Sequence, residues 1–121
     1  MINPFRERAE QIEQKAIAVI ELGEQIFLLE RQLQELADKH FLAVAAELEQ
    51  AGCYSDLLCQ TRARVRTGSA AEYQRLQGEL DDVKKRFALL DAELQKMKAL
   101  FNLDEYELAE QRHRLHQKNW N

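Results

Sequence analysis

Residues 73–101, YQRLQGELDDVKKRFALLDAELQKMKALF, place Tyr73, Leu76, Leu80, Val83, Phe87, Leu90, Leu94, Met97 and Phe101 at alternating spacings of three and four. That alternation is the a/d seam of a coiled coil and runs four heptads without a fault. With Tyr73 at a, the g positions are Glu72, Glu79, Arg86 and Glu93, and the e positions are Gln77, Lys84, Asp91 and Lys98. A parallel in-register dimer would set Glu79 beside Lys84, Arg86 beside Asp91 and Glu93 beside Lys98, all opposite in sign. The other solution is that this helix folds back on an earlier one as an antiparallel hairpin, with ordinary solvated charges on its surface.

Upstream, Phe5, Ile12, Val19, Ile26, Leu33 and His40 fall at a, with Leu22, Leu29 and Leu36 at d. The flank of this seam is also apolar. Ala9, Ala16, Gly23, Glu30, Ala37 and Val44 lie at e, and b includes Ile20, Phe27, Phe41 and Leu48, so the stripe covers nearly half the circumference. A helix of that kind needs more than one neighbour. Ala16 and Gly23 would allow close approach, which offsets the roughly 1 kcal/mol that Gly costs inside a helix.

Punctuation sets the expected boundaries. Asn3-Pro4 opens the first helix, since Asn accepts from an orphan amide and Pro at the first helical position loses no hydrogen bond. Gly52 stops it in the left-handed conformation, giving a helix over about 4–51 and a length of about 70 Å. Ser55 starts a short helix through Leu57, Leu58 and Val65 over about 56–66, ending at Gly68. Ser69-Ala70-Ala71-Glu72 has the form of a capping box for a helix over about 70–101. Asn102-Leu103-Asp104-Glu105 repeats that signature, so a break near Asn102 and a last helix over about 103–118 are expected. The reading is an all-α single helical domain over 1–121: a long antiparallel helical hairpin with coiled-coil character, a short connecting helix and a C-terminal helix, dimerising into a helical bundle.

Composition agrees. The chain has 121 residues, of which 45% are hydrophobic and 31% charged, with four Gly and one Pro. Breakers are too sparse for many short strands. A core of this size is small, and association would extend it. Its most apolar stretch, Ala16 to Leu29, is interrupted by Glu21, Glu24 and Gln25, so nothing is expected to span a membrane. Cys53 and Cys59 form no CxxC, and two thiols cannot staple such a chain, which points to reduced cysteines in the cytoplasm.

The formal charge of −4 is unevenly spread. Residues 1–51 carry ten acids against five bases, and the only net-basic stretch, 52–71, carries one acid and three bases, Arg62, Arg64 and Arg66. An acidic whole argues against sequence-independent grip on nucleic acid, whereas arginines suit carboxylate or phosphate partners through their planar fork. A basic segment before a zipper invites comparison with bZIP proteins, but their basic region is one continuous helix, and Thr67-Gly68-Ser69 interrupts this one.

Isolated motifs weigh little. Glu110-x-x-His113 has the spacing of one di-iron ligand pair, and His113 and His116 lie one turn apart, yet a continued seam through Leu108 and Leu115 turns His113 outward. No metal and no cofactor are expected. His40 at an a position reads as a polar residue reaching solvent rather than a pH switch. Nothing activates either cysteine. In the C-terminal segment Asp104, Glu105 and Glu107 precede Arg112, Arg114, His116 and Lys118, the order that the helix dipole favours. No phosphate-cradling glycine loop, nucleophile elbow or metalloprotease motif occurs, so no enzyme activity is expected.

The functional expectation is a cytoplasmic, homo-oligomeric coiled-coil adaptor or regulator that recruits or inhibits a larger protein. Its expected oligomer interface is Ile12, Val19, Leu22, Ile26, Leu29, Leu33 and Leu36 with Leu76, Leu80, Val83, Phe87, Leu90, Leu94 and Met97. Its expected partner-binding residues are Arg62, Arg64, Arg66 and Trp120. The alternative is a nucleic-acid-binding accessory protein that uses the Arg62–Arg66 connection.

Overall fold

The computed structural model describes the backbone of residues 3–120 and the side chains of residues 3–117. Three helices account for it: α1 (Pro4–Ala51), α2 (Asp56–Ser69) and α3 (Ala71–Trp120). No strand occurs among the described residues.

The first two boundaries follow from local chemistry. Asn3 Oδ1 accepts from the Phe5 amide at 3.0 Å, and the Asn3 carbonyl accepts from the Glu7 amide at 3.1 Å, so the N-cap acts as its residue type requires. At the other end of α1, Gly52 takes a φ of 71°. Its amide donates to the Glu49 carbonyl at 3.0 Å, and the Cys53 amide reaches back to the Leu48 carbonyl at 3.2 Å. These two bonds are the Schellman pattern, which satisfies carbonyls the helix leaves orphaned. Gly52→Ala is expected to lower stability by about 1 kcal/mol through its backbone alone, since a Cβ there would meet nothing within 4 Å. Thermal unfolding of the variant checks this. After the turn, Ser55 Oγ accepts from the Leu58 amide and opens α2.

Two expected boundaries are corrected. Ser69 does not cap α3; its hydroxyl donates to the Arg66 carbonyl at 3.2 Å and it forms the last residue of α2. An extended Ala70 makes the corner, and the Gln74 side chain donates to the Gly68 carbonyl at 3.2 Å. The expected break near Asn102 is also absent, because α3 passes through it as one helix of 50 residues. No Pro or Gly interrupts the stretch, and residues on both sides are tied to α1. Phe101 stacks on Phe5 with ring centroids 4.6 Å apart, and Arg8 bonds Asp104. Asn in a helix interior costs only tenths of a kcal/mol, up to about 0.7.

Tertiary contacts gather into two compact units, one formed by residues up to Glu21 together with those from Phe87 onward, the other by Leu22–Arg86. In the Leu22–Arg86 unit, Leu33, Leu76 and Leu80 are buried together, with Ile26, Leu29, Leu36 and Tyr73 packed around them. A second cluster joins Val44 and Leu48 of α1 to Cys59 and Ala63 of α2, flanked by Phe41, Ala45 and Leu58. The broad stripe of α1 thus has a second neighbour from Phe41 to Leu48, and that neighbour is α2. In the other unit Val19 and Leu94 are buried, and Lys15 Nζ meets Glu93 Oε2 at 2.5 Å.

Candidate protein-interaction surfaces

Every residue expected at an oligomer interface is buried or half-buried within one chain. Ile12, Val19, Leu22, Ile26, Leu29, Leu33 and Leu36 are so on α1, and Leu76, Leu80, Val83, Phe87, Leu90, Leu94 and Met97 on α3. The charges flanking the α3 seam also find partners in the same chain. Lys84 meets Glu30 at 3.7 Å, Glu93 meets Lys15, and Glu79 meets Arg75 one turn back at 3.0 Å.

The α2 helix divides its side chains in a way the apolar pattern did not foretell. Of Leu57, Leu58 and Val65, which the short helix was expected to run through, Leu58 packs against the core while Leu57 and Val65 are 74% and 68% exposed. The face against α1 is instead Cys59, Ala63 and Thr67, spaced by four and all buried. Small side chains let two helices approach closely, and the Cys59 thiol, with no exposed surface, faces the Phe41 carbonyl at 3.8 Å. Leu57 and Val65 are thereby turned outward, and the four-residue spacing of Cys59, Ala63 and Thr67 was the available signal for it.

The three arginines differ in their surroundings. Arg66 donates to Glu47 of α1 at 2.8 Å. Arg62 is exposed, and Arg64 is exposed at the edge of a groove whose other walls include Gln34, Asp38, Phe41 and Tyr73. At the start of α2 the Tyr54 hydroxyl donates to Asp56 at 2.8 Å, and this bond holds the phenol above its ordinary pKa.

Other apolar residues are exposed elsewhere. Phe27, Leu28 and Leu42 are so in the Leu22–Arg86 unit, as are Ile17 and Ile20 in the other. Ala16 and Gly23 are half-buried. On α3 all residues from Glu105 to Gln117 are exposed, including Tyr106, Leu108 and Leu115. The Trp120 side chain lies outside the described residues.

The weak motifs stay apart from one another. Glu110 accepts from Arg114 at 2.8 Å and the His113 ring contacts Gln117 at 3.1 Å, each one turn along α3. Among the described residues no three metal-ligating side chains converge. Both cysteines are free thiols, Cys53 exposed and Cys59 buried, and His40 is half-buried. No helix among the described residues is long and apolar enough to cross a membrane. No family model, curated protein or solved structure matches the chain.

Proposed function

We propose that this chain is a non-enzymatic helical adaptor or regulator that binds a larger protein through the outer faces of its helices. In this reading α1 and α3 pair as an antiparallel hairpin with coiled-coil character, and the hairpins associate as homo-oligomers. Support for the pairing comes from contacts inside each unit. Leu33 packs with Leu76 and Leu80 in one, and Lys15 meets Glu93 while Phe5 meets Phe101 in the other.

The observation that carries the binding role is the outward face of α2. Leu57 and Val65 lie two turns apart on that face, with exposed Arg62 and Arg64 on the same short helix. An apolar pair beside arginines fits a protein partner that brings an apolar face and carboxylates, because arginine is enriched where proteins meet and its planar fork matches a carboxylate. The nucleic-acid alternative is weakened by Arg66, whose charge is matched by Glu47.

The test is affinity capture compared between the native chain and Leu57→Ser/Val65→Ser. Both positions are exposed, so the double variant should unfold within about 0.5 kcal/mol of native per site. A partner held by the native chain and lost by the variant supports the reading. An identical set of bound proteins contradicts it.

A further inference from the structure

We propose that the groove walled by α1, α2 and the start of α3 in the Leu22–Arg86 unit seats the C-terminal residue of a partner chain, its free carboxylate on Arg64 and Thr67 and its apolar side chain against Phe41. This rests on the reading of α2 as a face for a protein that brings apolar groups and carboxylates, and it names the group that is bound.

Thr67 is 6% exposed and lines the groove, yet its hydroxyl makes no hydrogen bond among the described residues. A hydroxyl held that deep normally has a partner, because a bond left unmade costs more than a typical bond returns. Thr61 of the same helix shows the usual solution, donating to the Leu57 carbonyl one turn back at 2.8 Å. Among the described residues no polar side-chain atom is sealed from solvent without a partner, so the Thr67 hydroxyl opens onto the groove.

Charge sets the sign of the ligand. Arg64 stands one turn before Thr67 on the same wall, exposed and without an ion pair among the described residues. It is the only cation lining the groove. Gln60, one turn earlier, adds a side chain that bonds nothing within the described residues. The facing acceptors are engaged: Asp38 accepts from Gln34 Nε2 at 2.9 Å, and the Gly68 carbonyl accepts from Gln74 at 3.2 Å. What α2 leaves open is a set of donors, and a carboxylate takes the arginine fork while still accepting from a hydroxyl.

Size sets the rest. The groove holds about 320 Å³, at the small end of ligand sites, which suits one residue and excludes a helix. Ala37, Phe41, Ala63 and Tyr73 supply its apolar walls. A carboxylate and an apolar side chain on one residue occur together only at a chain's C-terminus, and capture of that carboxylate is a recurring mode of peptide recognition.

The experiment titrates the full chain with acetyl-Ala-Ala-Phe and acetyl-Ala-Ala-Leu, each with a free and an amidated C-terminus, followed by backbone amide NMR. A free acid should give saturable shifts at Arg64, Thr67 and Gly68, and amidation or R64Q should weaken binding about tenfold or more. T67V should weaken it about two- to tenfold while unfolding in urea no more readily than native, since the hydroxyl bonds nothing in the chain. D38N, which removes the one negative charge lining the groove, should tighten it. Amides that bind as well as acids, or groove signals that no peptide moves, would overturn the inference. So would hydrocinnamate binding more tightly than either peptide, which would assign the groove to a small free acid. Leu57 and Val65 do not line the groove, so L57S/V65S should bind the peptides as native does. If the peptides fail while that variant still loses the captured partner, the groove inference falls alone. If they bind while it keeps every captured protein, the outward face of α2 falls and the groove stands.

Discussion

Leu80→Ala is expected to lower the free energy of unfolding by about 2–5 kcal/mol, the range for truncating a fully buried leucine. Leu80 is 3% exposed and belongs to the cluster with Leu33 and Leu76. Trimming its isobutyl side chain to a methyl removes packing against Leu33 of α1 and Leu76 of α3 and leaves a void. Leu89, nine residues along and 68% exposed, is the control. Leu89→Ala should stay within about 0.5 kcal/mol of native. Urea unfolding of the two variants separates a seam residue from a surface residue of the same type. Equal losses would mean that the α3 seam is placed wrongly.

Ala63→Leu is expected to have the second large effect. Ala63 is buried in the cluster that also holds Val44, Leu48 and Cys59. Three added heavy atoms at such a contact cost about 1–3 kcal/mol by overpacking. The loss should be local, because α2 has only 14 residues and an isolated helix of that length is marginal. Hydrogen exchange should show protection falling across residues 56–69 while the amides around Leu76 and Leu80 keep theirs. Val65→Leu, on the exposed face of the same helix, should leave exchange unchanged. If Val65→Leu rather than Ala63→Leu released α2, the facing of this helix would be reversed.

Much of the helical layout was legible because it rests on strong local signals. Asn3-Pro4 and Gly52 bracket α1, and each is tied to a backbone requirement that few other residues meet. The faultless three-and-four spacing from Tyr73 to Phe101 likewise marks one buried stripe. The misreadings came from signals that are permissive rather than obligatory. A Ser or Asn followed three residues later by Glu caps a helix only if a helix begins there. Ser69 sits instead in the closing turn of α2, and Asn102 lies between two residues fastened to α1. The α2 face was hidden for a different reason. Its apolar residues set no facing by themselves, and a close helix contact selects small side chains, so Cys59, Ala63 and Thr67 are inside, Leu58 is half-buried beside them, and Leu57 and Val65 are outside.

The charges of α3 illustrate a limit of heptad arithmetic. Glu79, Lys84 and Glu93 satisfy the rule for a parallel dimer, yet in one chain they meet Arg75, Glu30 and Lys15. Residues beside a seam can reach whichever helix fills it, so alternating charge alone does not say which that is. Within each unit residues of α1 and α3 meet, Leu33 with Leu76 and Leu80 in one and Phe5 with Phe101 in the other, which is the basis for the proposed pairing of these helices.

The most direct test of that account is a cysteine pair at the Phe5–Phe101 contact. F5C/F101C, placed in a C53S/C59A background, should oxidise to a disulfide within one chain, seen as a faster non-reducing gel band at the mass of a single chain. A disulfide that joins two chains through residue 101 would contradict the account, because the α3 seam would then belong to a parallel dimer.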